Sequence, residues 1–339
     1  MTKFLFFVNI LFSSLLLVLS LFYYFEVERF PVFSIFSLFV PLLFLVNLLF
    51  LIFWMFRKSR KLIFSLGSLF IGYLFFGSFF TMFNEEKEKA STDIDVMTFN
   101  AWGFNRYGWI KEDDIGGKIV KFVKEENPDI LCVQEHSRRY TEQLDMLPYK
   151  SISSPTTSEV KTTQAIFSKY PIVSDGSLDL PKTPNNITYA DVLIEEDTIR
   201  IYNIHLQSFN IVPSSESFSE KESEKNYKRL VRTFDKQLEQ VNIFDKHRNS
   251  CPYPYVVCGD MNNTQFSNVY KKLRGDLQDT FFEQGSGFGK TYSIFRLPLR
   301  IDYIFPDSSF EVIEHKNYKA KLSDHYPVKA TLRRKATNP

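Results

Sequence analysis

Three long apolar stretches occupy the first quarter of the chain. They run from Phe4 to Phe25, from Val32 to Phe56 and from Leu62 to Phe83, and contain 22, 25 and 22 residues without a single Asp, Glu, Lys or Arg. A helix needs about 20 such residues to cross about 30 Å of hydrocarbon. The pattern predicts three transmembrane helices in residues 1–83. The alternative is a cleaved signal peptide followed by core helices, but the first stretch exceeds a signal core and has no A-x-A-like cleavage site.

The charges in the short loops predict how these helices are oriented. The loop between the second and third stretches reads RKSRK and carries four positive charges, whereas the loop between the first and second reads EVER and carries one. Lys and Arg concentrate on the cytoplasmic side. We therefore expect a cytoplasmic amino terminus in an integral membrane protein, with residues 84–339 outside the cytoplasm. The lipid bilayer is the partner that this pattern predicts, and no protein partner is inferred.

After a polar linker at residues 84–92, short apolar runs alternate with amphipathic segments, and residues 93–336 are long enough for one large core. Apolar positions at helical spacing predict a helix at Ile115–Glu126 and a second one between Leu230 and Phe244. Ser208–Lys225 lacks such a pattern and is expected to be a loop. Alternating strands and helices predict an α/β layered fold. The predicted strands are Ile94–Phe99, Asp129–Val133, Ala165–Ser168, Thr198–Leu206, Tyr255–Cys258, Arg300–Phe305 and Pro327–Leu332.

Polar side chains gather at the ends of these strands. One Asp or Asn at a strand end is ordinary turn chemistry, but six strands each offer an Asn, Glu, Asp or His. In packed sheets such residues can meet at one rim and form a site. They are Asn100, Glu135, His205, Asp260, Asn262, Asp302, Asp324 and His325.

This set of side chains favours one kind of chemistry. Carboxylate and amide oxygens without a Cys ligand suit a hard cation such as Mg²⁺ or Mn²⁺, and no closely spaced His pair marks a zinc site. Two His side chains are available for phosphate binding and proton transfer. A carboxylate can orient a water molecule while a metal neutralises phosphate charge. Two further His residues, His247 and His315, are expected on the surface.

Composition limits the classes of partner. Residues 84–339 contain 35 basic and 37 acidic side chains, so their net charge is about −2 and no broad basic surface for nucleic acid is indicated. The three Cys residues, Cys132, Cys251 and Cys258, form no disulfide framework and no C-x-x-C spacing.

The motifs TFNAWG, DILCVQE, AIFSKYPI, YNIHLQS, CGDMNNT, RIDYIF and SDHYPV, in this order from Thr98 to Val328, resemble those of the endonuclease/exonuclease/phosphatase superfamily. That superfamily includes deoxyribonuclease I-like nucleases, sphingomyelinases and inositol-polyphosphate phosphatases. The resemblance implies a four-layered α/β sandwich that hydrolyses a phosphoester with the help of a metal. The preceding apolar helices are similar to those of membrane-anchored bacterial members, which implies the bacterial inner membrane.

The resemblance also implies roles for the acidic side of the site. Glu135 is similar to the principal metal ligand of the family. Asn100 resembles the neighbouring residue that helps to hold metal and phosphate, and Asp324 resembles a second acidic position near the metal. Mg²⁺ or Mn²⁺ is the cofactor that this ligand set implies.

The remaining motif residues resemble the catalytic set. Asp260 matches the carboxylate that orients the attacking water, and Asn262 matches the amide that holds phosphate. His205 resembles a His that contacts phosphate at a strand end. Asp302 matches the acid that orients His325, which would bind phosphate and protonate the leaving oxygen.

Three functions remain open from the sequence. The leading hypothesis is a membrane-anchored phosphodiesterase or phosphatase that acts on lipid-linked or other envelope phosphoesters. The alternative is a nuclease acting on extracytoplasmic nucleic acid, although Trp102 and His205 differ from the acid and the Tyr of the abasic-site endonuclease branch. A non-catalytic binding module is a minor alternative, and the complete set of eight motif residues argues against it.

Overall fold

The computed structural model describes residues 2–25, 31–82, 85–153, 162–209, 220–294 and 297–335. These residues form two compact units. The first comprises the described parts of Met1–Phe79, Phe209–Leu238 and Thr264–Leu273, and the second comprises those of Phe80–Ser208, Glu239–Asn263 and Arg274–Pro339. The predicted domain boundaries at residues 83, 92 and 336 stay a prediction.

The first unit contains the apolar helices. Two of them are long and apolar enough to cross a membrane, Thr2–Tyr24 and Ser34–Phe56, with a mean hydropathy of 2.5 and 2.7. The second of these includes a short 3₁₀ turn at Ser37–Phe39. The helices are α1 (Thr2–Tyr24), α2 (Pro31–Phe36), α3 (Val40–Phe56) and α4 (Leu62–Phe76).

The prediction of a third helix over Leu62–Phe83 is wrong in its length. α4 has 15 residues, which at 1.5 Å each span only about 22 Å. Gly77 follows with a φ of 75°, a conformation that ends the helix. Thr81 then forms two backbone hydrogen bonds with Gly287, at 3.0 and 2.9 Å, so the end of the apolar stretch is not helical. Among the described residues, only Thr2–Tyr24 and Ser34–Phe56 therefore form helices of spanning length.

The polar side chains of these helices face one another. Asn9 Nδ2 donates to Ser65 Oγ at 2.7 Å, and Trp54 Nε1 donates to Asn9 Oδ1 at 2.9 Å. Asn47 Oδ1 accepts a hydrogen bond from Ser13 Oγ at 2.7 Å. Asn9 and Asn47 are both fully buried. Neutral hydrogen bonds thus join α1, α3 and α4 inside an otherwise apolar bundle, as the position of Asn47 in an apolar helix requires.

The second unit is an α/β sandwich of two sheets, which confirms the α/β sandwich of the predicted fold class but not its three transmembrane helices. One sheet has the order β12-β13-β1-β2-β4-β3, the other has the order β11-β8-β7-β6-β5, and β9 pairs with β10. The strands are β1 (Ile94–Asn100), β2 (Ile130–Gln134), β3 (Tyr149–Ile152), β4 (Ala165–Ser168), β5 (Ile172–Ser177), β6 (Ile187–Ile194), β7 (Asp197–His205), β8 (Tyr255–Asp260), β9 (Tyr292–Ile294), β10 (Leu297–Leu299), β11 (Asp302–Pro306), β12 (Phe310–Asn317) and β13 (Val328–Arg334).

The main core lies between the two sheets, where Ile130 and Cys132 of β2 meet Ile201 of β7 and Cys258 of β8. Helices also pack on the sheets, and Ile119 belongs to a second apolar cluster with strands of the six-stranded sheet. The remaining helices are α5 (Ile115–Glu126), α6 (Glu220–Arg248), α7 (Asn268–Arg274) and α8 (Thr280–Gln284).

Two local predictions have different outcomes. The helix predicted at Ile115–Glu126 is confirmed as α5, where the carboxylate of Asp114 accepts a hydrogen bond from Gly117 N and caps the helix. Of the loop predicted at Ser208–Lys225, residues 210–219 lie outside the described residues, and Glu220–Lys225 forms the start of α6 instead.

The strand pairing brings the polar strand ends together. β1 and β2 are parallel, with Asn100 opposite Gln134, and β7 and β8 are parallel, with His205 opposite Asp260. β11 is antiparallel to β8 and places Asp302 opposite Asp260. The carboxyl ends of the parallel strands therefore meet the start of β11 at one rim.

Candidate active site

Asp260 lies at the centre of the site. Its Oδ2 accepts hydrogen bonds from Asn100 Nδ2 at 3.0 Å and from Asn262 Nδ2 at 3.2 Å. The same oxygen lies 3.6 Å from His205 Nε2 and 3.7 Å from His325 Nε2. One buried carboxylate oxygen thus gathers four of the predicted site residues, which come from both sheets.

His325 is held from its other side by Asp302. The Nδ1 atom of His325 lies 3.1 and 2.9 Å from the two carboxylate oxygens of Asp302, and both residues are buried. This contact keeps the proton on Nδ1 and leaves Nε2 directed towards Asp260. His325 thus lies between two carboxylates, with a hydrogen bond to Asp302 and a longer contact of 3.7 Å to Asp260.

Burial and charge shift the pKa values of these groups in different directions. Burial raises the pKa of Asp260 to about 6, although the two neighbouring His residues lower it. For His325, burial lowers the pKa, but Asp302 and Asp260 outweigh burial and raise it to about 10. Burial lowers the pKa of His205, whose Nδ1 has no hydrogen-bond partner among the described residues. At neutral pH, His325 is therefore protonated and positively charged, whereas His205 is neutral.

Glu135, Asn100 and Asp324 lie beside His325 and its two carboxylate neighbours. Glu135 directly follows β2 with a φ of 52°, a left-handed conformation that costs a non-glycine residue roughly 1 kcal/mol or more and is typical of functional positions. Burial raises the pKa of its carboxyl group; the charge of His325 and a hydrogen bond with Asn100 lower it, and Asp324 raises it. Ser323 Oγ lies 3.0 Å from Asp324 Oδ1 and 2.8 Å from the carbonyl oxygen of Asn100. The structure thus brings all eight predicted residues together in one cluster, and their roles stay a prediction.

The donor groups of this site fit a divalent cation. Ligand atoms of Asp260, Asp302 and His325 lie within 4.8 Å of one another, so these buried residues form a candidate metal site. Burial raises the pKa of both Asp260 and Glu135. This shift marks carboxylates whose negative charge the neighbours do not fully balance, and a bound cation would balance it.

Tyr292 is a site residue that the sequence analysis missed. Its ring centroid on β9 lies 4.8 Å from that of His325. Burial raises the pKa of the phenol, and the carboxylates of Asp324, Asp260 and Asp302 raise it further. The phenol therefore keeps its proton at neutral pH. β9 has only three residues, so no apolar alternation in the sequence could have indicated it.

A buried polar network connects the two sheets beneath the site. Gln134 Nε2 donates to Asn203 Oδ1 at 2.7 Å and to Thr98 Oγ1 at 3.1 Å. Asn203 Nδ2 in turn donates to the carbonyl oxygens of Val133 and Ala165, both at 3.1 Å. These contacts fix the strand ends that carry Glu135 and His205. Gln134 and Asn203 are polar residues inside apolar strands, and this pattern was the available sequence signal.

Comparison with known proteins identifies the class. A family model described as "Endonuclease/Exonuclease/phosphatase family" matches residues 97–325, which is more than half of the chain. The protein belongs to this family, and it is a hydrolase of phosphoester bonds. A model described as a domain of unknown function (DUF8431) matches residues 2–79. No curated protein matches the chain significantly.

Solved structures agree with this fold. A humanised TDP2 of D. rerio is 14% identical with a TM-score of 0.54, and the match covers 72% of this chain and 100% of that one. An endonuclease/exonuclease/phosphatase from Beutenbergia cavernae is 19% identical with a TM-score of 0.54, and the match covers 72% of each chain. The mannosyl-6-phosphatase Bt3783 of Bacteroides thetaiotaomicron is 19% identical with a TM-score of 0.50, over 71% of this chain and 99% of that one. At these identities the similarity establishes the fold.

Proposed function

We propose that this protein is a membrane-anchored phosphoester hydrolase that requires Mg²⁺ or Mn²⁺ and acts on lipid-linked or other envelope phosphoesters. The observation that carries the catalytic part of the proposal is the position of Asp260. Its buried carboxylate contacts two amide side chains and two His side chains, an arrangement that can hold a phosphate and activate a water molecule at one point.

Each side chain then has a distinct task. Asp260 orients the attacking water and accepts its proton. Asn262 and His205 hold the phosphate oxygens. His325 donates a proton from Nε2 to the leaving oxygen, while Asp302 holds its Nδ1. The raised pKa of His325 means that this proton is present at neutral pH.

Glu135, Asn100 and Asp324 would hold the metal. Asp302 and His325 each use one possible ligand atom in their contact with each other. The oxygen atoms of Glu135, Asn100 and Asp324 are therefore the better ligands for a hard cation. When bound, Mg²⁺ or Mn²⁺ would neutralise charge on the phosphate. The position of Glu135 beside Asn100 and Asp324 supports this assignment.

A metal-dependence experiment tests this part. Activity on a phosphoester should disappear in excess chelator and return with Mg²⁺ or Mn²⁺. Glu135→Gln should lower the rate by at least about two orders of magnitude, because it removes a main electrostatic element. Glu125→Gln on the exposed face of α5 serves as the matched control. Full activity in chelator, or a specific requirement for zinc, would contradict the proposal.

We propose further that the catalytic unit lies outside the cytoplasm. Although α4 is short, it runs along the length of α1. Phe64 contacts Phe6 at 5.4 Å between ring centroids, and Phe76 contacts Tyr23 at 4.9 Å. α4 therefore returns from the RKSRK turn to the opposite end of α1. With that turn in the cytoplasm, the chain after α4 begins on the other side of the membrane.

Reporter fusions test this orientation. Alkaline phosphatase fused after Pro339 should be active, and green fluorescent protein exported by the same route should be dark. Fusions after Lys61 should give the reverse pair of results and serve as the control. If both positions behave as cytoplasmic, α4 does not complete a third crossing and the catalytic unit faces the cytoplasm.

The preference for a lipid-linked substrate has two supports. Residues 84–339 carry a net charge of about −2, whereas non-specific nucleic-acid binding depends on Lys and Arg contacts with phosphates. The predicted linker is short, and part of it is held on β12, because Lys87 and Lys89 form ion pairs with Glu311 and Glu314 at 2.8 and 2.5 Å. The free length of chain after the apolar helices is therefore small. An anchored enzyme meets lipid-linked phosphoesters at high effective concentration.

A direct comparison of substrates tests this preference. We expect the full-length protein, reconstituted in vesicles, to hydrolyse a phospholipid or sphingolipid phosphoester faster than single- or double-stranded DNA. Release of product per unit time from each substrate is the measurement. Much faster cleavage of DNA than of any lipid would contradict the lipid preference and favour the nuclease.

A further inference from the structure

A cavity opens in the sandwich, and one of its lining residues, Tyr326, directly follows His325. It has a volume of about 800 Å³ and lies along the end of β12, the edge strand of the six-stranded sheet. None of the eight motif residues lines it. Its lining includes Tyr318 and Tyr326 and four lysines, namely Lys290, Lys316, Lys319 and Lys321.

The uncompensated charge of this cavity is positive. Lys316 Nζ is paired with Glu126 at 3.2 Å, and the acidic lining residue Glu314 is paired with Lys89 at 2.5 Å. Lys319 and Lys321 are exposed, and within the described part of the chain neither forms an ion pair. A concave surface with unpaired positive charge concentrates anions.

The cavity and the catalytic site share one loop. The segment between β12 and β13 carries Lys319 and Lys321 and then Asp324 and His325. Lys321 and Asp324 are three positions apart in the chain, so their Cα atoms are at most about 11 Å apart.

Strand pairing places both features at the same end of the sheet. Val328, the first residue of β13, is opposite Asn317 at the end of β12 and opposite Thr98 near the end of β1. Tyr326 directly follows His325, and its backbone N donates to the carbonyl oxygen of Thr291 at 2.7 Å. The backbone that carries the catalytic His therefore also forms a wall of the cavity.

We infer that this cavity binds a second anionic group of the substrate, a phosphate or a carboxylate, beside the phosphoester that is hydrolysed. The inference rests on the proposed function, because it assigns a specificity pocket to the same site. It narrows the substrate class to phosphoesters that carry at least two anionic groups. Lys319 and Lys321 are the residues that would select them.

The test compares substrates that differ by one phosphate. The soluble pairs are TpT with pTpT, and fructose 6-phosphate with fructose 1,6-bisphosphate. The lipid pair is phosphatidylinositol with phosphatidylinositol 4-phosphate, each in phosphatidylcholine vesicles. The full-length protein should have a lower KM for the more highly charged member of the pair that it hydrolyses, and this preference should weaken with added salt. Which pair is hydrolysed distinguishes a soluble from a lipid-borne source of the second phosphate.

In the double variant K319A/K321A, the KM for the more highly charged substrate should rise about tenfold while kcat stays unchanged. The effect is of this size because each lysine contributes a modest charge interaction. K319R/K321R should retain the preference for this substrate. K121A/K124A, which removes two exposed lysines from α5, is the control of equal charge and should behave as the wild type. An equal loss in the control would mean that net charge alone is responsible, and it would overturn the inference.

Equilibrium binding of the same compounds, with Ca²⁺ in place of Mg²⁺, separates the two proposals. Tighter binding of the doubly charged compound that K319A/K321A abolishes supports the cavity even if none of these compounds is hydrolysed. If the wild type and the variant both hydrolyse the two members of a pair equally well, the inference about the cavity is wrong. The proposed function is not affected by that result.

Discussion

Both units of the chain bury a cluster of polar side chains, but the helical unit buries neutral groups whereas the sandwich buries ionisable ones. In the helices, Asn9 and Asn47 exchange hydrogen bonds with Ser and Trp side chains. In the sandwich, Asp260 and Asp302 surround His325, and His205 has a buried nitrogen without a hydrogen-bond partner among the described residues.

This difference separates a structural cluster from a catalytic one. Neutral groups that satisfy one another inside an apolar bundle hold helices together and do not respond to pH. Buried ionisable groups with displaced pKa values are costly for folding, and a cluster of several such groups is typical of sites of proton transfer or ion binding. The group of buried ionisable side chains at the rim of the sheets thus marks the functional cluster.

The largest expected effect concerns the centre of the ionisable cluster. Asp260→Asn keeps the shape of the side chain but removes its charge and places an amide near the donor group of Asn100. We expect the rate of phosphoester hydrolysis to fall at least about a hundredfold, with little change in secondary structure by circular dichroism. The exposed Asp113→Asn is the matched control and should retain wild-type activity. Equal rates for Asp260→Asn and the wild type would show that this cluster is not the reaction centre.

The site residues were easier to predict than the architecture around them. Asp260, Asn262 and the pair Asp324–His325 occur in short motifs next to apolar runs, so their grouping followed from the sequence order. The contact between His325 and Asp302 depends on the pairing of β11 with β8, which no local pattern encodes. Such long-range pairings are decided by packing between the sheets.

The length of the third apolar helix shows the other limit. Apolar composition continues to Phe83, yet the helix ends at Phe76 because Gly77 adopts a positive φ and Thr81 pairs with Gly287. An apolar sequence indicates that a segment is removed from water, but a strand-like pairing can bury it as well as a helix can. The expected surface position of His315 fails for a similar reason, because β12 carries this residue into the interior, where it lies 2.8 Å from Thr280 Oγ1.

The second prediction concerns the pH dependence of stability that the buried His315 causes. This ionisable group lies in the sandwich but outside the active site. Burial lowers its pKa from 6.5 to about 4, although the nearby Asp279 opposes this effect. Between these pH values the unfolded chain binds the proton and the folded chain does not, so the free energy of unfolding falls as the pH falls. The loss is at most about 3 kcal/mol over the whole interval.

Denaturant unfolding of the full-length protein in detergent at several pH values from 7 to 4 measures this effect. His315→Gln should be less stable at neutral pH but should show a shallower loss of stability with falling pH. The slope, rather than the absolute stability, is therefore the readout. Parallel curves for the variant and the wild type would mean that His315 does not carry the pH dependence.

The smallest expected effect concerns the neutral cluster. Asn47→Ala removes the oxygen that accepts from Ser13 at 2.7 Å and from Ser68 at 3.3 Å, and we expect a loss of about 1–2 kcal/mol that is the same at pH 5 and pH 8. Leu48→Ala, at a neighbouring position that is 45% exposed, is the control and should cost less.

Asn47→Asp converts the cluster into an ionisable one. Burying the charged form of this side chain is costly, so the stability of the variant should be lower at pH 8 than at pH 5. A pH-dependent loss in Asn47→Ala, or none in Asn47→Asp, would contradict the distinction between the two clusters.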